Sequence, residues 1–245
     1  MACLALQLET KLLNQTIEIK PLKIAILGAE STGKTELTRQ LTAHFESRSR
    51  GAHSIHLVPE YLREWCNTQS RTPRPDEQRG IATEQAGRAD APSRHDWLIA
   101  DTTPLMIAIY SDMLFDDQTL YSMALAHQHS YDLTLLTGLD LPWVADGLQR
   151  DGPHVREPVD ALIRAALTRG KIDYQVVYGA GDLRVANALK CIEYFMLSRQ
   201  PGTQSAVPDA AASNDIRQTW QNVICERCSD PDCEHRLFTS LLPKT

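Results

Sequence analysis

The sequence predicts an α/β fold: a five-stranded parallel sheet in the order 2-3-1-4-5 with helices on both faces. Three observations predict it. Short apolar runs alternate with helical patterns from residue 22 to 198. The first run, Ile24-Ala25-Ile26-Leu27, leads into GAESTGKT at 28–35, the G-x-x-x-x-G-K-T of a phosphate-binding loop. Each strand delivers a chemically useful residue at or near its carboxyl end: Gly28, Glu60, Asp101, Asp140 and Gly179. In parallel sheets that edge carries the ligand.

Strand one covers 23–27, and the helix after the glycine turn covers 34–47, with Leu37, Leu41, His44 and Phe45 on one side. IHLV at 55–58 is strand two, followed by a short helix, EYLREWC, and a Pro- and charge-rich loop. Residues 76–93 read as helix, and WLIA at 97–100 is strand three, ending in Asp101-Thr102. Pro104 suits the first turn of a helix that runs to Phe115, and another helix covers 118–129. LTLL at 133–136 is strand four, and the segment LQRDGPHVREP reads as a flap. A helix at 158–169 turns Val159, Leu162, Ile163 and Ala166 inward. Strand five is 174–178, and the helix at 181–197 carries Leu183, Ala186, Leu189, Ile192, Phe195 and Met196 as an apolar stripe. Around this 22–198 domain lie a lead-in at 1–21, a linker at 199–213 and a helix with a Cys/His tail at 214–245.

The chain has 245 residues, 42% of them hydrophobic and 23% charged, enough for one sizeable core and an appendage. A net charge of −6 gives no support for a nucleic-acid partner. No apolar run is long enough to span a membrane, and the N-terminus does not read as a signal peptide. The cytoplasm, where ATP is found, is the expected compartment.

The glycine turn fixes the chemistry. Gly28 and Gly33 let successive N–H groups converge on an anion, and the following helix adds the positive end of its dipole. Lys34 is placed to reach the terminal phosphates of ATP and Thr35 to ligate Mg2+. Glu30, Ser31, Thr32 and Glu36 complete the expected nucleotide-binding set. Asp101 is positioned to hold magnesium through water or to orient the nucleophile, or else to cap the next helix. Glu60 suits a sugar hydroxyl or a magnesium-bound water, with Arg63 one turn on, or a plain surface pair between the two. Trp143, after Asp140 and Pro142, offers a stacking plate for a flat ring or a plug for the loop. Asp140 and Asp146 are candidates for ribose hydroxyls, and Tyr61 and Tyr131 are lesser aromatic candidates. Arg150 and Arg156 flank the flap and would bring positive charge over a migrating phosphoryl group. Arg184 would touch the adenine end or sit on the helix surface.

Together, GAESTGKT at 28–35, EYLRE at 60–64, Asp101-Thr102, YDLTLLTGLDLPWVADG at 131–147, the arginine-bearing flap, Gly179 and Arg184 resemble the kinase domain of the bifunctional NAD-salvage proteins, the nicotinamide riboside kinase type. The resemblance implies ATP-dependent phosphorylation of a nicotinamide nucleoside at its 5′-hydroxyl. It implies phosphate and magnesium roles for Gly33, Lys34 and Thr35, a ring-stacking role for Trp143, and a base or metal-orienting role for Asp101. It does not extend to the adenylyltransferase and DNA-binding domains of those proteins. Two positions depart from the pattern: Gln149 precedes Arg150 where the family has arginine directly after Asp-Gly-Leu, and Gly138 stands where it has Asp. The competing reading is a P-loop ATPase or regulatory switch acting on a protein partner.

In the tail, Cys225, Cys228, Cys233 and His235 form C-x2-C-x4-C-x-H, four ligands suited to a structural Zn2+, with a C-x-x-C redox pair or no metal as alternatives.

Overall fold

The structure, a computed structural model, describes residues 22–49, 54–91, 97–144 and 153–199. The lead-in, Asp146, Arg150, most of the linker and the Cys/His tail lie outside the described residues.

The strands are β1 (Leu22–Leu27), β2 (Ile55–Val58), β3 (Trp97–Asp101), β4 (Leu133–Thr137) and β5 (Gln175–Val177), all parallel, in the order β2-β3-β1-β4-β5. This is the order expected from the sequence. The helices are α1 (Lys34–Ser49), α2 (Tyr61–Gln69), α3 (Pro75–Asp90), α4 (Pro104–Phe115), α5 (Tyr121–Gln128), α6 (Arg156–Arg169) and α7 (Asp182–Ser198).

Strand alternation divides the core into two layers. Ile24 and Ile26 of β1, Ile99 of β3 and Leu133 and Leu135 of β4 pack with Leu37 and Leu41 of α1 and Ala188 and Ile192 of α7. Leu27 and Leu136 face the opposite way, onto α3, α4, α5 and α6 through residues such as Ile81, Leu105, Ile109, Ala124 and Ile163. α4 runs through the middle of this second layer, with Leu105 through Ile109 all buried. Phe45 lies against Trp97 with ring centroids 4.3 Å apart, closing the first layer at the amino end of the sheet.

α7 departs from the expected stripe. Leu183 and Met196 are 59% and 42% exposed, and the inward row is Arg184, Ala188 and Ile192. These sit at i, i+4 and i+8, so a buried arginine heads the row that an apolar count would have given to leucine. α2 is also unlike its neighbours, because it carries no fully buried residue. Gln85 of α3 accepts a hydrogen bond from the Tyr61 N–H at 2.7 Å, and Arg88 of α3 pairs with Glu64 at 2.5 Å.

The turn between α2 and α3 is fixed by Glu77. Its carboxylate takes both terminal nitrogens of Arg71 at 2.7 and 2.6 Å and the Arg74 N–H at 2.8 Å. Arg71 holds this carboxyl well below the usual range, at about 2. The native pKa is depressed, so the stabilisation is present above the unfolded value of 4.5 and is lost as pH falls toward about 2. Glu77→Gln is therefore expected to lower the Tm at neutral pH, with the gap to the parent closing on titration from pH 4.5 downward. Thermal melts across that range measure it.

Candidate active site

The phosphate-binding loop is anchored from below by a hydroxyl on β4. Thr137 Oγ1 and Thr32 Oγ1 are 2.7 Å apart, Thr137 donates to the Leu27 carbonyl at 3.1 Å, and Thr32 to the Ala29 carbonyl at 2.8 Å. A Cβ on Gly28 would lie 2.0 Å from Thr137 Oγ1, so only glycine lets the turn approach β4 this closely. Gly33 has φ +78° and Ser31 has φ +60°, the left-handed pair that folds the loop over itself. Lys34 Nζ donates to the Ala29 carbonyl at 2.9 Å. That bond closes the loop across its own mouth, where a phosphate oxygen can take the ammonium in exchange. Burial pulls the Lys34 pKa down, and the nearby Glu60 and Asp101 carboxylates oppose the shift.

Arg184 braces the loop from the side. Its guanidinium, 4% exposed, donates to the Thr32 carbonyl at 2.7 Å and the Gly179 carbonyl at 2.6 Å, and pairs with Asp140. Asp140 also accepts from the Gly179 N–H at 2.6 Å. Both oxygens of Asp140 are thus engaged in tying β5 to the glycine turn. Arg156, also buried, donates to the Leu139 carbonyl at 3.1 Å. Gly138 admits the ring of Tyr178, which a Cβ there would meet at 2.4 Å, so an aspartate at this position would displace that ring.

Asp101 sits at the end of β3, 3% exposed. Helix capping is not its role: Thr103 is the N-cap of α4, accepting from the Leu105 N–H at 3.3 Å. Asp101 instead lies beside Thr35, and its Oδ1 has no hydrogen-bond partner. Burial raises its pKa, the Thr35 hydroxyl works against the rise, and Glu60 adds to it. Thr102, the next residue, has φ +68°, a costly conformation for a β-branched side chain, and its N–H bonds the Ile26 carbonyl at 3.0 Å. Glu60 holds the N-cap position of α2, 16% exposed, with Arg63 Nε 3.3 Å from its carboxylate.

Thr35, Glu60 and Arg63 border a cavity of about 650 Å³, and Asp101 lies behind Thr35 without lining it. At one end Lys34, Thr35, Glu60 and Arg63 line it, and Leu62, Gln78, Tyr110, Leu114 and Phe115 line the remainder. The structure therefore brings Glu30, Ser31, Gly33, Lys34, Thr35, Glu36, Glu60 and Arg63 of the expected set onto one cavity, with Asp101 against Thr35. It does not place Trp143, Tyr61, Asp140 or Arg156 among the lining residues. Val144 N–H donates to Ser31 Oγ at 2.8 Å and holds the Trp143 segment against the phosphate loop. Tyr61 lies under Arg88 at 4.2 Å, and Tyr131 is buried beside the amino end of β4. The aromatic walls are Tyr110 and Phe115 on the last turns of α4.

Thr35 and Asp101, with its partnerless buried oxygen, suit Mg2+, a hard cation that combines one or two protein oxygens with waters and phosphate oxygens. Among the described residues no group of three His, Cys, Asp or Glu is placed to hold a metal without such a ligand. The zinc candidates lie outside those residues.

A family profile described as AAA domain matches residues 23–184. The chain belongs to the AAA domain family. The matched span contains the glycine turn, all five strands and Arg184. Among solved structures the fold is similar to a NadR protein in complex with NR, with TM-score 0.57 and 17% identity over 76% of this chain and 54% of that one. A NadR protein in complex with NAD and AMP-PNP gives TM-score 0.53 and 16% identity, over 76% of this chain and 52% of that one. The chain thus spans about half the length of the NadR chains it matches. A thymidylate kinase from Ehrlichia chaffeensis gives TM-score 0.52 and 12% identity, over 71% of this chain and 99% of that one. No curated protein matches. No helix among the described residues is long and apolar enough to cross a membrane.

Two substitutions test the site. Gly28→Ala is expected to lower the Tm by several degrees, from about 1–3 kcal/mol of overpacking, and Thr137→Ala in the same chain to recover part of the loss. Asp101→Asn separates stability from function. Its native pKa is raised, so the proton-linked stability is full below the unfolded value of 3.8 and is lost as pH rises through the native value. In chelator and without nucleotide, the Asn variant is expected to melt higher than the parent at neutral pH, with the advantage gone below pH 3.8.

Proposed function

We propose that the protein transfers the γ-phosphoryl group of ATP to the 5′-hydroxyl of a nucleoside, with nicotinamide riboside as the acceptor and nicotinamide mononucleotide as the product. The observation that carries this reading is the cavity: it runs from Lys34 and Thr35 to a wall of Tyr110 and Phe115, room for a second ligand beside the nucleotide. The fold likeness to a NadR protein in complex with NR supports the choice of acceptor. The residues resembling the nicotinamide riboside kinase type, GAESTGKT and EYLRE, supply this phosphate loop and this cavity wall.

In this mechanism the loop N–H groups and Lys34 hold the β- and γ-phosphates. Asp101 takes the proton of the 5′-hydroxyl as the new O–P bond forms and the bond from the γ-phosphorus to the β-phosphate oxygen breaks, releasing ADP. Glu60 positions the ribose, with Arg63 holding the carboxylate in place. Thr35 and Asp101 would hold Mg2+, which neutralises phosphate charge. Arg150, from the flap, supplies positive charge to the migrating group, while Arg156 holds the Leu139 carbonyl behind it. Cys225, Cys228, Cys233 and His235 would hold a structural Zn2+.

ADP release against a panel of nucleosides tests the proposal. Strong stimulation by nicotinamide riboside is expected, and basal hydrolysis indifferent to every nucleoside would overturn the kinase in favour of a partner-directed ATPase. Asp101→Asn is expected to lower turnover by about 10²-fold or more while nucleotide still binds.

A further inference from the structure

Three glutamines are buried among the described residues: Gln78, Gln85 and Gln128, at 2%, 1% and 0% exposure. Two are fully used by the fold. Gln85 accepts from the Tyr61 N–H at 2.7 Å and donates to the Pro59 carbonyl at 3.3 Å. Gln128 accepts from Thr103 Oγ1 at 2.6 Å and donates to Thr134 Oγ1 at 3.0 Å. Gln78 differs. Its buried Oε1 has no hydrogen-bond partner, and the residue lines the cavity that opens from the phosphate loop. A buried amide oxygen left unpaired costs free energy, so natural folds rarely keep one without a use for it.

The setting suits recognition. Gln78 lies in the first turn of α3, one residue after Glu77, whose bonds to Arg71 and the Arg74 N–H fix that turn. Thr72 and Pro73 of the same turn also face the cavity, and Tyr110, Leu114 and Phe115 of α4 give it apolar surface. A flat ring between such walls leaves its polar edge needing a partner, and a primary amide supplies a donor and an acceptor side by side in one plane.

We propose that Gln78 is the specificity-determining residue for the acceptor's ring, pairing with a planar edge that presents a donor beside an acceptor. An exocyclic carboxamide and a nucleobase edge both have that chemistry. The inference rests on the nucleoside-kinase reading above and adds the group that selects among nucleosides.

The test compares the parent with Gln78→Leu, close to isosteric, and Gln78→Glu, which loses the donor. Binding of nicotinamide riboside, nicotinic acid riboside, cytidine and uridine is measured by calorimetry with a non-hydrolysable ATP analogue present, beside ADP binding and the ligand-free Tm. Gln78→Leu is expected to weaken the preferred nucleoside about tenfold or more and to flatten the ranking across the panel, with ADP affinity unchanged. In turnover the loss should fall mainly on KM, as for an interaction made equally before and during the reaction. The ligand-free Tm should hold or rise, because no internal hydrogen bond of the Oε1 atom is lost. A preference for nicotinamide riboside over nicotinic acid riboside that vanishes in Gln78→Leu assigns the edge to a carboxamide. A vanishing preference between cytidine and uridine assigns it to a base. Identical binding by the parent and Gln78→Leu overturns the inference and leaves the kinase standing. So does a variant that weakens ADP and every nucleoside equally with a lowered Tm, which marks a structural role. A parent that binds none of the four overturns both readings.

Discussion

The close approach of the glycine turn to β4 is the constraint from which the site follows. Thr137 lies directly beneath Gly28 and ties the hydroxyl of Thr32 to the end of the sheet. Arg184 then holds the Thr32 carbonyl from α7, and Asp140 holds Arg184. Each of these partners is a polar group satisfied by another, buried in every case but the half-buried Asp140, which is how a loop of backbone amides stays open toward an anion instead of collapsing. Asp140 and Arg184 make sense in this frame as a buried pair whose value is positional, since removing either would leave a desolvated charge.

Stability is surrendered at one place in particular. Asp101 is buried with an unpaired oxygen, and Thr102 beside it has a left-handed backbone. A burden of strain and desolvation on adjacent residues at a strand end is typical of sites organised for charge that arrives with a ligand.

The sheet order and the glycine turn were legible because they rest on periodicity and on residue types with few structural uses, Gly28, Gly33 and Lys34 among them. The position of Glu60, Arg63 and Asp101 at the carboxyl edge of the sheet was also legible, because strand ends in a parallel sheet share one edge. The side walls were not. Trp143 suggested a stacking plate by its type, but the Ser31–Val144 bonds hold its segment against the phosphate loop. Tyr110 and Phe115 belong to a helix so apolar that no periodicity marks the turn facing a ligand. Gln78 and Gln85 are seven residues apart on one helix, and only three-dimensional partners distinguish them. Thr137 reads as an ordinary strand residue until the chain places it under Gly28.

The two sides of the cavity are held by different forces. The phosphate side is bonded through buried neutral and charged groups to the middle of the sheet. The side formed by α2 has no fully buried residue and meets α3 through the Arg88–Glu64 ion pair, the Gln85 bond to the Tyr61 N–H and the stacking of Arg88 on Tyr61. Counterions screen exposed pairs far more than buried ones. Ionic strength therefore acts unevenly across the mouth, loosening the jaw that carries Glu60 and Arg63 while the glycine turn over β4 keeps its shape.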